Sequence, residues 1–243
     1  MKNFSYNEYE YIINWIKTHY TINKFNDISK NSDNFCVIRH DVEFSVDRAL
    51  QLAELENTLG ISTTYLFQIR NNVYNSLSVQ NVKKIRKIYE LGHDIGLHVH
   101  SGSLENYNSI EEMICIDVDI LSKILGIDVR IFSLHRPTVE LLTAKICING
   151  LINTYDDLYF HSYIGKAPKN LTVKYIADSN HAWKYGYPTV ASHSKLQCNF
   201  HPFSWSVQGY ENTPNFKQLI NEKTIELTNS ISNEIKTFPM ELL

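Results

Sequence analysis

The stretch Phe35-Cys36-Val37-Ile38-Arg39-His40-Asp41-Val42-Glu43 begins as an apolar run and ends as a cluster of charge. Four consecutive apolar residues read as a strand covered on both faces, with its polar groups delivered at the C-terminal end. Ser45 then suits the N-cap of a helix through about Leu59, and Gly60 stops it. Thr63 to Ile69 is β-branched and aromatic and reads as the next strand. Strand, helix and strand in that order predict a parallel pair joined by a helical crossover.

The alternation continues downstream. Residues 78–91 place Val82, Ile85, Ile88 and Leu91 at helical spacing, and Gly92 ends the pattern. Asp94 to His100 is a third strand, 110–125 a helix with Ile114, Val118, Leu121 and Leu125 on one face, Val129 to Leu134 a fourth strand, and 138–148 a further helix. Upstream, residues 6–19 form an amphipathic helix with Ile12, Ile13, Trp15 and Ile16. Beyond residue 150 the pattern loosens into short strands near 151–155, 172–177 and 197–201, then a helix near 215–234. The expectation is an α/β fold: one barrel-like domain over residues 1–243, its site where the strands end.

Composition narrows the function classes. The chain has 243 residues, 43% hydrophobic and 20% charged, enough apolar content for a substantial core. A net charge of −3 offers no basic footprint for nucleic acid. Cys36, Cys115, Cys147 and Cys198 contain no CxxC pair, so zinc-ribbon and thioredoxin-like readings fail and buried free thiols are expected. No segment approaches the ~20 apolar residues of a membrane span, so no stable membrane insertion is expected. The N-terminus, MKNFSYNEYEYIINWIK, carries acids early and lacks a signal-peptide core, which points to a cytoplasmic protein. Neither a GxGxxG nor a P-loop occurs.

The chemistry gathers at the strand ends. His98 and His100 are two apart in a strand, so both imidazoles face one side. Two imidazoles with a carboxylate from a neighbouring strand can hold a divalent metal. Asp41 and Glu43 likewise share a side, as ligand or general base, while Glu43 equally suits a charge at the following helix N-terminus. His40 points opposite Asp41. His135-Arg136-Pro137 ends the fourth strand, and His201-Pro202-Phe203-Ser204-Trp205 ends a later one. Trp183 and Trp205 are candidates for stacking on a sugar ring, with core packing as the alternative. Asp178 can bond a hydroxyl, orient His201 or cap a turn with Ser179. His93, at a helix end, reads as structural, and His19, His161, His181 and His193 stand apart from these motifs in the sequence.

Together these motifs resemble the polysaccharide deacetylase family, the NodB-homology or carbohydrate esterase family 4 group. Residues 39–43 resemble its aspartate-bearing first motif, and Gly92-His93-Asp94-Ile95-Gly96-Leu97-His98 its second. His135-Arg136-Pro137 resembles its Arg-Pro motif. Tyr175-Ile176-Ala177-Asp178-Ser179 with Trp183, and His201-Pro202 with Trp205, resemble elements of a polysaccharide-biosynthesis branch. The likeness spans about 35–205. It implies a distorted (β/α) barrel of about seven strands, here with an added N-terminal helix, and hydrolysis of an N- or O-acyl group on a sugar.

Carried over by position, the resemblance makes Asp41 and His98 metal ligands. The family's next histidine falls at Gly102, so His100 is the nearest replacement and His135 the second candidate. Val42 stands where the family has a second aspartate, leaving either Glu43 or Asp41 as the base. Arg136 would orient that carboxylate, and His201 would be the general acid. Zinc is the first choice of metal, with nickel or cobalt compatible. The implied partner is an acylated sugar, nucleotide-linked or lipid-linked, on the way to capsule or O-antigen. Two other readings compete: an amidohydrolase-like or phosphoesterase barrel, which would place its HxH on the first strand, and a degenerate barrel that binds sugar without turnover.

Overall fold

The computed structural model describes residues 4–100, 107–161, 173–190 and 192–239. Its elements run α1 (Tyr6–His19), β1 (Thr21–Asn23), β2 (Phe35–Val42), α2 (Val46–Thr58), β3 (Thr64–Phe67), α3 (Val79–Glu90), β4 (Asp94–His100), α4 (Ile110–Leu125), β5 (Ile131–His135), α5 (Val139–Thr143), β6 (Ile152–Asn153), β7 (Val173–Ala177), β8 (Lys195–Phe200) and α6 (Asn212–Glu234). Every strand pairing is parallel, in the order β6-β5-β4-β3-β2-β8-β7. The sheet curls into a half-barrel, as the α/β alternation predicts.

Alternation along each strand decides what faces the inside of the curl. On β2, Phe35 and Val37 join an inner cluster with Leu66 and Ile131, while Cys36 and Ile38 pack outward against α1. Arg39, Asp41 and Glu43 continue the inner parity, so the interior passes from apolar at one end to ionic at the mouth. On β4 and β5 the outward Leu97, Val99, Phe132 and Leu134 join the layer of α2, α3 and α4, which leaves His98, Ser133 and His135 facing inward. Gly96 lies on the same inner column. A Cβ there would sit 2.6 Å from both the Ile131 carbonyl oxygen and Leu66 Cδ2, so no larger residue lets β4 and β5 close this tightly.

His40 takes the outward parity and meets a buried carboxylate. Glu56 of α2, fully buried, accepts hydrogen bonds from Tyr9 (2.5 Å), Thr63 (2.8 Å) and Tyr65 (2.7 Å), and His40 Nε2 lies 3.0 Å away. Burial alone would raise the Glu56 pKa, but the His40 imidazole and the hydroxyl donors hold it down at about 2. This network ties α1, α2, β2 and β3 together through one charge.

Some expectations shift. The strand β1 escapes the sequence pattern because it is three residues long; it pairs with Phe35–Val37, the part of β2 that β3 does not reach. The helix expected over 138–148 ends at Thr143, because Lys145 adopts φ 46° and Ile146 turns into the core. Cys36 and Cys198 are buried as free thiols, whereas Cys115 and Cys147 are exposed. No helix among the described residues is long and apolar enough to cross a membrane. Gly102, where the family's further histidine would stand, lies outside the described residues.

Candidate active site

The mouth of the curl holds a cavity of about 530 Å³. Asp41, Glu43, His98, Arg136, Asn199 and His201 all reach it, drawn from four strands or the residues just beyond them. Parallel pairing brings these sequence-distant groups together, because every strand ends at the same rim.

The donors that converge are Glu43, His98 and His135. One Glu43 carboxylate oxygen lies 3.0 Å from His135 Nδ1 and 3.9 Å from His98 Nε2, and those two ring nitrogens are 3.2 Å apart. All three donor atoms lie within 4.8 Å of one another, a spacing able to hold one metal ion. The other nitrogen of His98 is engaged from behind. Ser133 Oγ lies 2.7 Å from Nδ1 and itself donates to Asp41 at 3.2 Å. Nδ1–H therefore donates to the serine, and the Nε2 lone pair points at the other two donors, the tautomer a metal ligand needs. The residues fit a divalent ion on donor chemistry and on their outer support.

Asp41 stands behind this group. It takes hydrogen bonds from Asn199 (2.9 Å) and Ser133 and an ion pair from Arg39 (3.3 Å), and it reaches His98 only on the Nδ1 side, at 3.8 Å. Burial would raise its pKa, yet the Arg39 guanidinium beside it pulls it below the usual carboxylate range. Glu43 is also depressed: burial opposes ionisation, and the His135 imidazole 3.0 Å away leads the groups that outweigh it.

On the opposite wall, His201 Nδ1 lies 2.6 Å from Asp178, which is fully buried. Asp178 also accepts the His201 backbone N–H and the Trp205 indole N–H at 2.7 Å. Burial would lower the His201 pKa; the Asp178 charge reverses that and lifts it to about 9. The imidazole is therefore held protonated, with Nε2 towards the mouth, 3.9 Å from Glu43.

The remaining sequence candidates are placed as follows. His100 stacks on His135 at 5.3 Å between ring centres and shares a neighbouring hollow with Glu43 and His135, but its own ring is outside the converging donor group. Arg136 is exposed at the rim with φ 47° and makes no hydrogen bond or ion pair among the described residues; the guanidinium that meets Asp41 belongs to Arg39. Trp205 is fully buried and Trp183 packs on Phe4, Tyr187 and Phe200, so neither ring borders the cavity. The aromatic wall is formed instead by Tyr155, Phe160, Tyr175 and Tyr185. Sequence reading missed Arg39, Ser133 and Asn199. Strand parity could have found them, since each sits two residues before a site candidate on the same face: Asp41, His135 and His201.

No family model matches the chain, and no curated protein matches it. Among solved structures it is similar to a family 4 carbohydrate esterase from Bacillus anthracis (11% identity, TM-score 0.44, 88% of this chain and 85% of that one). It is similar to the catalytic domain of a peptidoglycan N-acetylglucosamine deacetylase from Eubacterium rectale (12% identity, TM-score 0.43, 82% and 88%). It is also similar to a CE4 family pseudoenzyme from Bacillus anthracis (10% identity, TM-score 0.43, 82% of this chain and 63% of that one). Likeness at this distance describes a shared outline and carries no chemistry, which rests on the residues of this site.

Proposed function

We propose that the protein is a metal-dependent hydrolase that removes an N- or O-acyl group from a sugar. The observation that carries this reading is the convergence of Glu43, His98 and His135, the first two lining the cavity, opposite an imidazolium, His201, that Asp178 holds charged. Glu43, His98 and His135 would hold the ion, zinc by preference and nickel or cobalt by the same donor types. When bound, such an ion supplies a Lewis acid for the acyl carbonyl and lowers the pKa of water beside it.

The chain's own groups do the rest. Asp41, outside the donor group but facing the cavity, is kept ionised by Arg39 and accepts the attacking water's proton. Ser133 couples Asp41 to His98 and so fixes both. His201 gives its Nε2 proton to the departing nitrogen or oxygen, and Asp178 steadies the ring through that transfer. The phenol and phenyl faces of Tyr155, Phe160, Tyr175 and Tyr185 suit a sugar ring and exclude water around it.

Arg136 supports the finer statement about substrate. A cation at the rim with no described partner suits the phosphate of a nucleotide-linked or lipid-linked sugar, the kind handled in surface polysaccharide assembly inside the cell. The test is release of acetate or formate from N-acylated sugar nucleotides by zinc-loaded protein, beside His98→Ala. Acid release with wild type and none with the variant is the expected result. Full metal occupancy in His98→Ala, or a metal-loaded wild type that releases no acid from any acylated sugar, counts against it.

A further inference from the structure

The C-terminal helix α6 touches the rest of the protein along one side only. Asn215 and Leu219 are buried there, and Glu222 pairs with Arg48 of α2 at 2.8 and 3.0 Å. About 130° round the helix lies a second stripe, which meets solvent. It reads Lys217, Ile220, Thr224, Leu227, Ile231 and Glu234, all exposed. Ile220 and Leu227 are 64% and 61% exposed, a large apolar outlay for the outer face of a helix.

The stripe is self-complementary. Its steps along the chain are three, four, three, four and three residues, so it reads the same from either end, with a lysine at one end and a glutamate at the other. Turned about a two-fold axis between Ile225 and Glu226, Lys217 meets Glu234 of a second copy, Ile220 meets Ile231, and Thr224 meets Leu227. Alternate steps of three and four are the spacing of a two-helix seam, and a two-fold contact must be complementary to itself. The opposite, parallel pairing would set lysine on lysine and glutamate on glutamate. Neither Lys217 nor Glu234 forms an ion pair within the chain among the described residues. A membrane surface is a poorer occupant, because the apolar stripe lacks the basic flanks of an interfacial helix.

We infer that this protein forms a homodimer through antiparallel pairing of α6, with reciprocal Lys217–Glu234 ion pairs closing an Ile220–Leu227–Ile231 seam. The seam is about 26 Å long. One helix pair of that length is smaller than the ~800 Å² per partner of a standard interface, so association in the micromolar range is expected. The experiment is sedimentation velocity of the full chain from about 1 to 200 µM, a range set by that interface size. The proteins are wild type, Lys217→Glu, Glu234→Lys, Ile220→Lys and an equimolar mixture of the two charge variants.

Wild type should pass from monomer to dimer across this range. Each charge variant should dimerise about tenfold more weakly, since two ion pairs become two repulsions. The mixture should recover wild-type affinity, because both charged contacts of the mixed dimer are then Glu against Lys. Ile220→Lys should stay monomeric. A wild type that is monomeric throughout, or a mixture no tighter than its components, overturns the inference. So does a dimer indifferent to all these changes.

Discussion

Replacing Asp178 by Asn removes the charge that keeps His201 protonated while leaving a side chain of nearly the same shape. His201 is held at about 9 against an ordinary 6.5, with burial pushing the other way. That lift corresponds to about 3 kcal/mol of preference for the imidazolium. At pH 7.5 wild-type His201 is then protonated by roughly 30 to 1, whereas in Asp178→Asn burial leaves it mostly neutral. The sign for stability follows. A raised folded pKa stabilises the protein fully below pH 6.5, and that contribution is lost as pH rises through about 9. The assay is an NMR titration of imidazole Cε1–H signals in metal-free protein, with the His201 signal assigned by its absence in His201→Gln. Asp178 also serves Trp205 and the His201 backbone N–H, so the Asn variant loses about 1–3 kcal/mol of stability and is measured well below its melting temperature. Equal His201 pKa values in the two proteins, or a wild-type value at or below 6.5, would refute the reasoning.

The buried Glu56 network should be the protein's most sensitive structural polar site. Glu56→Ala strands four polar partners and should cost about 3–5 kcal/mol, lowering Tm by about 10 °C in calorimetry. Because its folded pKa of about 2 lies below the ordinary 4.5, Glu56 contributes full stability above pH 4.5, lost as pH falls towards 2; the variant's acid-unfolding curve should lack that component. Ser133→Ala unhooks His98 Nδ1 from Asp41 and should weaken zinc binding by about 10–100-fold in calorimetric titration, with the fold intact. Arg136→Ala should raise KM about tenfold for an acylated sugar nucleotide and leave kcat and turnover of an uncharged acylated sugar unchanged; equal KM effects on both would remove the phosphate role.

Much of the fold is legible in the order of elements. The helices at 6–19 and 110–125 fall where the apolar spacing puts them, because each buries a stripe that recurs at helical period. Gly126 ends the second in a left-handed turn at φ 65°. The strand bearing Arg39, His40 and Asp41 runs on to Val42, since each of its polar residues has a partner within the protein: Tyr155 for Arg39, Glu56 for His40 and Asn199 for Asp41. What escaped the pattern is short or held by partners far along the chain, as with β1 and the early end of α5.

By itself the sequence determined the parallel α/β order and which residue types stand at the strand ends. It could also say that Asp41 and Glu43 share one side while His40 takes the other, since the period of a strand is local. Which of those polar groups meet is a tertiary matter. Register sets His98 beside Ser133 and His135 beside His100, and the curl of the sheet swings Glu43 onto His98 and His135 while Arg39 and Asn199 close on Asp41. Trp205 and Tyr155 are both aromatic residues after a strand, and only the packed structure sends one beneath Asp178 and the other to the cavity wall. Covalent spacing fixes a side chain's parity; its neighbours across strands depend on pairing and twist, which no single segment encodes.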